Sequence, residues 1–167
     1  VREAIRIIEP ADSAERYTGL GVDVRQGHAT IVDPWTVAID GEKRLTTRSI
    51  VIAAGGEPVV PDIPGLEESG YLTSDTLWDA LGERASVPER IVVIGGGPIG
   101  CELSQAFARL GSQVVQVEGG DRIMAREDAE VSAFVADALR ADGVDLRLGS
   151  KAARVDGKTL VLSDGSS

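Results

Sequence analysis

Two kinds of hydrophobic pattern run along the chain and divide it near its middle. In the first half, short segments alternate apolar and polar residues between turn residues, which predicts a small antiparallel β-sheet. In the second half, short continuous apolar runs alternate with amphipathic stretches, which predicts parallel strands joined by helices. The chain is therefore predicted to belong to the α/β class.

The first half is predicted to form a β-meander. Asp40-Gly41 is a strong hairpin signal between two of its segments, and Ala14–Tyr17 is predicted to form a short helix ahead of them. Such a meander cannot bury its open face alone. The predicted strands are Val22–Arg25, His28–Val32, Thr36–Ile39 and Arg44–Thr47.

Ser49–Ala54 is a continuous apolar run and predicts a buried parallel strand. Ala53, Ala54 and Gly55 at its end leave room for a ligand against the backbone, or simply end the strand; the pattern alone favours neither interpretation. Prolines 58, 61 and 64 then predict an extended connector. A short helix capped by Thr73–Asp75 follows, with Trp78 expected in the core.

The second half repeats strand and helix and closes with a hairpin. The first strand, Arg90–Ile94, is expected to be covered on both faces. The domains are predicted to be residues 1–87 and 88–167. The remaining predicted elements are a helix with apolar residues at Leu103, Phe107 and Leu110, strand Gln113–Val117, a helix capped by Asp128 and running to about Ala141 with Val131, Val135 and Leu139 on one face, strand Val144–Leu148, and a hairpin around Asp156-Gly157.

A glycine-rich turn joins the strand Arg90–Ile94 to the helix after it. Gly95, Gly97 and Gly100 have the G-x-G-x-x-G spacing of a dinucleotide-binding turn. The first glycine permits a tight turn, the second lets a pyrophosphate approach the backbone, and the third lets the helix pack closely on the strand. Glu118 ends the next strand, near the offset expected for a ribose-binding carboxylate.

Composition narrows the choice of partner. The chain has 167 residues, a formal net charge of −10 and no basic stripe, so neither nucleic acid nor a membrane is an expected partner. It contains no bilayer-length apolar run and no signal peptide, and a cytoplasmic location is expected. Cys101 is the single cysteine, so no internal disulfide and no zinc site are expected. A packing role for it is favoured over a thiol activated by the helix start.

Three stretches in fixed order carry a resemblance to a known family. They are Gly27–Ala29, the run ending at Gly55 with its proline connector, and the glycine turn through Glu118. Together they resemble the flavin-dependent pyridine nucleotide–disulfide oxidoreductases, with a slight leaning toward mercuric reductase and dihydrolipoamide dehydrogenase. The match is to the middle of such an enzyme. It implies a Rossmann-type NAD-binding domain, truncated at its end, preceded by a partial FAD domain that holds the meander.

The resemblance implies an oxidoreductase that passes hydride from NAD(P)H to FAD and electrons on to a cysteine pair outside this chain. Such enzymes dimerise through a further domain, so a homodimeric parent is expected. With one thiol, the 167 residues alone are expected to be inactive. The alternatives are an NAD-binding module without catalysis and a member lacking the cysteine pair, such as an NADH oxidase or a flavin reductase.

On the NAD side, the resemblance implies cofactor contacts along the glycine turn and the loop after Glu118. A carboxylate at Glu118 favours NAD(H) over NADP(H), whereas Arg122 is also able to meet a 2′-phosphate. Glu102 corresponds to a glutamate near the nicotinamide, although a carboxylate in a first helical turn also has a purely structural explanation. The implied set is Gly95, Gly97, Pro98, Ile99, Gly100, Glu102, Glu118, Gly119 and Arg122.

On the FAD side, the resemblance implies that His28 and Ala29 lie near the adenine and that Ser74 lies toward the flavin. Without the resemblance, His28 would be taken as a surface histidine. Ala53, Ala54 and Gly55 correspond to an Ala-Thr-Gly strand end beside FAD, and the alanine at 54 removes a hydroxyl.

Overall fold

The computed structural model describes residues 2–82 and 84–167, without the side chain of Arg2. It packs as two compact units, Val1–Glu57 and Pro58–Ser167. The break falls at the start of the predicted connector. Residues 58–87 pack with the second unit because Leu77, Leu81 and Val87 contact its core. The predicted domain ranges 1–87 and 88–167 stay a prediction about the longer protein.

The first unit begins with short helices. Helix α1 is Arg2–Ile8, a 3-10 turn covers Glu9–Asp12, and helix α2 is Ala14–Gly19. The predicted helix at Ala14 is confirmed, and it begins there because the Ser13 hydroxyl accepts a hydrogen bond from the Arg16 N–H at 3.2 Å.

A three-stranded antiparallel sheet follows and confirms the predicted meander. Its strands are β1 (Ala29–Asp33), β2 (Thr36–Ile39) and β3 (Lys43–Thr46), in the order β1-β2-β3. Asp40 and Gly41 have φ angles of 51° and 76°, the left-handed geometry that tight hairpin turns need.

Two predicted strands of the first unit are wrong. Val22–Arg25 is irregular, and the Arg25 guanidinium instead pairs locally with Asp23 at 2.6 Å. Ser49–Ala54 is also irregular, with the side chain of Val51 88% exposed. A strand exists only through hydrogen bonds to a neighbour, and within the described residues no strand pairs with either segment.

The second unit contains the predicted parallel sheet. Strands β4 (Arg90–Ile94), β5 (Gln113–Val117) and β6 (Asp145–Arg147) are parallel, in the order β4-β5-β6. Helix α3 (Leu77–Gly82) precedes the sheet, and helices α4 (Pro98–Arg109) and α5 (Ala129–Ala141) connect its strands. Strands β7 (Ala152–Asp156) and β8 (Thr159–Leu162) form the predicted hairpin. The α/β fold with one parallel and two small antiparallel sheets is confirmed.

The core of the second unit lies between the sheet and its helices. Its buried members are Leu77, Cys101, Phe107, Val114, Ile123, Ala136, Leu139 and Val144. No helix in residues 2–82 and 84–167 is long and apolar enough to cross a bilayer.

Several predicted core positions are wrong. Trp78 is 45% exposed, because α3 turns its neighbour Leu77 inward instead. Two residues of the predicted apolar faces are also exposed: Leu110, which directly follows α4, and Val131 on α5. Strand β4 is an edge strand and is covered on one face only: Ile91 packs on the core, whereas Val92 is 48% exposed.

Candidate dinucleotide-binding site

The candidate NAD site lies where the three parallel strands end. The glycine turn follows β4, Glu118 follows β5, and Gly149 lies two residues past β6. Parallel strands present their carboxyl ends at one edge, and α/β proteins bind ligands there. Residues far apart in sequence therefore meet at this edge.

The glycine turn opens onto the start of α4. Gly95 has a φ of 113°, which only glycine adopts readily, and its N–H donates to the Val117 carbonyl at 2.8 Å. Gly97 is the residue before the helix and Pro98 is the first helical residue. A Cβ atom on Gly97 would meet no protein atom within 4 Å. The space before the helix N-terminus is thus free for a ligand.

Gly100 packs tightly against the turn after β4 and against a side chain of β5. A Cβ atom there would lie 2.4 Å from the Gly95 carbonyl oxygen and 3.2 Å from Nε2 of Gln116. Both distances are shorter than normal contacts. The packing role predicted for this third glycine is confirmed.

The Glu118 carboxylate lies against the glycine turn. Its Oε2 accepts the Gly96 N–H at 2.6 Å, and its Oε1 accepts the Gly120 N–H at 2.7 Å. A carboxylate has about four acceptor positions, so about two stay available for hydroxyl groups of a ligand. The side chain is half-buried, which leaves its outer edge open. The chemistry of this position suits recognition of a vicinal diol.

Gly96 is a site residue that the spacing argument did not single out. A Cβ atom there would lie 2.8 Å from both Oε2 of Glu118 and Cγ2 of Ile123. Its carbonyl accepts the Met124 N–H at 2.7 Å, which ties the glycine turn to the loop after β5. The available signal was a glycine at Gly96, the middle of three in a row, where the motif accepts any residue.

Gln116 is the second residue that sequence reasoning missed. It is fully buried, and its Nε2 donates to the Gly95 carbonyl at 3.0 Å and contacts the Cys101 sulfur at 3.6 Å. Burial raises the pKa of the Cys101 thiol. The packing role favoured for Cys101 fits this environment, because a protonated buried thiol is unreactive. A glutamine inside an apolar strand was the signal for this cluster.

The outer residues of the predicted set differ in their surroundings. Ile99 is exposed on the first turn of α4, and Glu102 is exposed one position beyond that turn, so the first-turn placement expected for Glu102 is wrong. The Arg122 guanidinium donates to the carbonyls of Ala125 and Glu127, both at 2.8 Å, and so stabilises its own loop. Gly119 is exposed, and the stem of Lys151 lies across it.

The residues predicted to contact FAD fall in both compact units. In the first, the His28 N–H donates to Asp40 at 2.8 Å, Ala29 begins β1, and Ala53, Ala54 and Gly55 lie in the exposed irregular stretch. In the second, the Ser74 hydroxyl lies 3.3 Å from the Asp75 carboxylate. Their role toward FAD stays a prediction.

Fold and sequence comparisons define the class to which the protein belongs. It shares its fold with an HOCl-induced flavoprotein disulfide reductase of Escherichia coli, on which it superposes with a TM-score of 0.70 at 24% identity. The superposition covers 96% of this chain and 38% of that one. The family described as "Pyridine nucleotide-disulphide oxidoreductase" matches residues 6–167. The chain belongs to this family.

Individual relatives give the same result. A mercuric reductase of Lysinibacillus sphaericus is 40% identical over 134 residues, which is 80% of this chain and 24% of the relative. A dihydrolipoyl dehydrogenase of Pseudomonas aeruginosa is 42% identical over 133 residues, 77% of this chain and 28% of the relative. A water-forming NADH oxidase of Lactobacillus brevis bound to NADH superposes with a TM-score of 0.64 at 29% identity, over 91% of this chain and 37% of that one. The chain spans about a quarter of these curated relatives.

Proposed function

We propose that the second unit binds NAD(H) as part of an FAD-dependent pyridine nucleotide–disulfide oxidoreductase. In the whole enzyme, nicotinamide supplies a hydride to the flavin, and the electrons continue to a cysteine pair outside this chain. Such a parent enzyme is a cytoplasmic homodimer, joined through a domain that is not part of these residues. The 167 residues alone bind the nucleotide without completing the reaction.

The observation that carries the proposal is the meeting of Glu118 with the glycine turn. This carboxylate lies 22 positions beyond Gly96 in sequence, yet its Oε2 is 2.6 Å from the Gly96 nitrogen. The same turn borders the free space in front of α4. A ribose held by Glu118 and a pyrophosphate in that space would occupy adjacent positions.

The start of α4 provides the donors for the pyrophosphate. The first N–H groups of a helix have no acceptor within it, and the helix dipole favours an anion there. Pro98 has no N–H, so Ile99 and Gly100 supply the first donors. The chain has a net charge of −10 and no basic stripe. In this proposal the positive end of the helix dipole, rather than a cluster of lysines and arginines, therefore holds the phosphates.

The nicotinamide end of the cofactor would lie along the exposed first turn of α4. Ile99 projects from that turn, and Glu102 is exposed at the start of the second turn. In this proposal Ile99 contacts the cofactor and Glu102 orients the nicotinamide toward the flavin. The FAD of the parent enzyme would contact His28, Ala29, the Ala53–Gly55 stretch and Ser74.

Glu118 is also the basis for a preference for NADH. Its carboxylate accepts hydrogen bonds from ribose hydroxyls and repels a 2′-phosphate. The charge argument agrees with an engineered form of the Lactobacillus brevis oxidase that is bound to NADPH, in which the five substitutions remove an aspartate and introduce two arginines.

Titration with both nucleotides tests the proposal. Calorimetry should show NADH binding more tightly than NADPH by at least about tenfold, because a phosphate dianion near a half-buried carboxylate costs on the order of 1–2 kcal/mol. Glu118→Ala should narrow that ratio. Asp121→Asn is the matched control, since it removes an exposed carboxylate from the same loop. Equal affinities in the unaltered protein would remove Glu118 from this role, and no binding of either nucleotide would refute the proposal.

A second candidate is a family member that lacks the cysteine pair. The observation that favours it is the similarity to the NADH oxidase of Lactobacillus brevis. The two candidates predict the same nucleotide site, and they differ in the residues upstream of this chain. A Cys-x4-Cys pair in the full-length reading frame would support the disulfide reductase, whereas its absence would support an oxidase or flavin reductase.

A further inference from the structure

Lys151 is a cationic residue next to Gly119, which directly follows the proposed ribose-binding residue Glu118. It follows β6 by four residues and precedes β7. Its Cγ lies 3.1 Å, its Cε 3.7 Å and its Cδ 3.9 Å from the position of a Cβ atom on Gly119. The whole aliphatic stem therefore runs across the residue next to Glu118. The ammonium group is one bond beyond Cε.

Backbone hydrogen bonds fix the turn that carries the lysine. The Gly149 N–H donates to the Gly120 carbonyl at 2.7 Å, and the Ser150 N–H donates to the Glu118 carbonyl at 3.0 Å. The Lys151 carbonyl accepts the Ser163 N–H at 2.8 Å. The turn that carries Lys151 is thus joined both to the loop after β5 and to the end of β8.

Arg122, the cation expected from sequence to meet a 2′-phosphate, has other partners. Its two terminal nitrogens donate to carbonyls of its own loop. Turning either nitrogen toward a ligand would break one of these bonds. The Lys151 ammonium carries no such cost, because within the described residues it takes part in no ion pair or side-chain hydrogen bond.

We propose that Lys151, rather than Arg122, is the cation that sets how the site treats the adenosine 2′ position. This inference rests on the proposed function. Glu118 repels the 2′-phosphate of NADPH, and the Lys151 ammonium across Gly119 attracts it. The preference for NADH is then smaller than Glu118 alone would impose, and NADPH stays a usable ligand.

Three variants isolate the charge from the stem. Lys151→Met keeps a long unbranched side chain over Gly119 and removes the ammonium, and Lys151→Arg restores a cation. Lys158→Met is the matched control, because Lys158 lies in the turn at the far end of the same hairpin, about 16 Å away at the usual rise of a strand. The affinities of NADH and NADPH are measured by calorimetry at low and high salt.

Lys151→Met should widen the NADPH-to-NADH ratio of dissociation constants by about threefold to tenfold at low salt, and by less at high salt where the charge is screened. Lys151→Arg and Lys158→Met should leave the ratio near its original value. An unchanged ratio in Lys151→Met, or an equal weakening of both nucleotides, would overturn this inference and leave the proposed function standing. Failure of the unaltered protein to bind either nucleotide would overturn both.

Discussion

Replacing Gly100 by alanine should destabilise the second unit, because the added methyl group has no room. Its carbon would lie 2.4 Å from the Gly95 carbonyl oxygen. That oxygen also accepts the hydrogen bond from the fully buried Gln116 at 3.0 Å. Relieving the contact means moving α4 away from β4 or displacing the turn, and either movement stretches the Gln116 bond.

The expected loss combines three terms. Overpacking a tight contact costs about 1–3 kcal/mol, and weakening the hydrogen bond of a buried amide adds about 1 kcal/mol. Alanine recovers up to about 1 kcal/mol because it is the better helix former. The net destabilisation is about 1–4 kcal/mol. In a unit of about a hundred residues this corresponds to a fall in Tm of several degrees, at about 4 °C per kcal/mol.

Gly97→Ala is the matched comparison within the same motif. A Cβ atom at Gly97 meets nothing within 4 Å, and its φ of −76° is accessible to alanine. The alanine is a poorer N-cap than glycine, but it loses less chain entropy on folding, and the two effects are each about 0.5–1 kcal/mol. The Tm should therefore hardly change. NADH binding should nevertheless fall steeply, because the methyl group occupies the space proposed for the pyrophosphate.

The assay is thermal unfolding followed by circular dichroism, paired with NADH titration of each variant. Gly100→Ala should lower the Tm, and Gly97→Ala should weaken binding at an unchanged Tm. A Tm for Gly100→Ala within about a degree of the original would refute the packing argument. Full NADH affinity in Gly97→Ala would refute the proposed position of the pyrophosphate.

Two further predictions concern titratable groups. Arg109 and Gln105 lower the pKa of Asp142 by hydrogen bonding to it. The stability from this contact is therefore present above the usual carboxylate pKa and is lost as the pH falls through the lowered value. Asp142→Asn should make the Tm less dependent on pH in the acid range, and an unchanged dependence would contradict this. Burial raises the pKa of the Cys101 thiol, so it should react with a thiol reagent far more slowly in the folded protein than in denaturant, and equal rates would show that it is accessible.

Local patterns were sufficient for most elements of the second unit. Strand β4 was predicted from the apolar run Arg90–Ile94, the turn from the glycine spacing, and α4 from the amphipathic stretch that follows. Each of these elements depends on residues only a few positions apart. The Asp40-Gly41 turn likewise gave the hairpin of β2 and β3. Glu118 was found from its offset alone, since a strand and helix of ordinary length bring a residue at that distance back beside the turn.

The wrong predictions share one physical cause, which is that the pattern shows which residues are apolar but not what covers them. Ser49–Ala54 has a strand composition, yet within the described residues it has no strand partner and stays irregular. Trp78 and Leu77 are neighbours on α3, and only the packing of that helix decides which one is buried. The outer face of β4 was expected to be covered for the same reason.

The amino-acid sequence by itself determined the family, the glycine turn and the carboxylate that faces it, because these depend on residue type and on short fixed spacings. Only the tertiary structure decided which charges and amides surround that turn. Gln116 lies beneath it, Arg122 is held by its own loop, and the stem of Lys151 lies across Gly119, the residue after Glu118. These contacts arise because parallel strands bring distant segments to one edge, a relation that no local pattern contains.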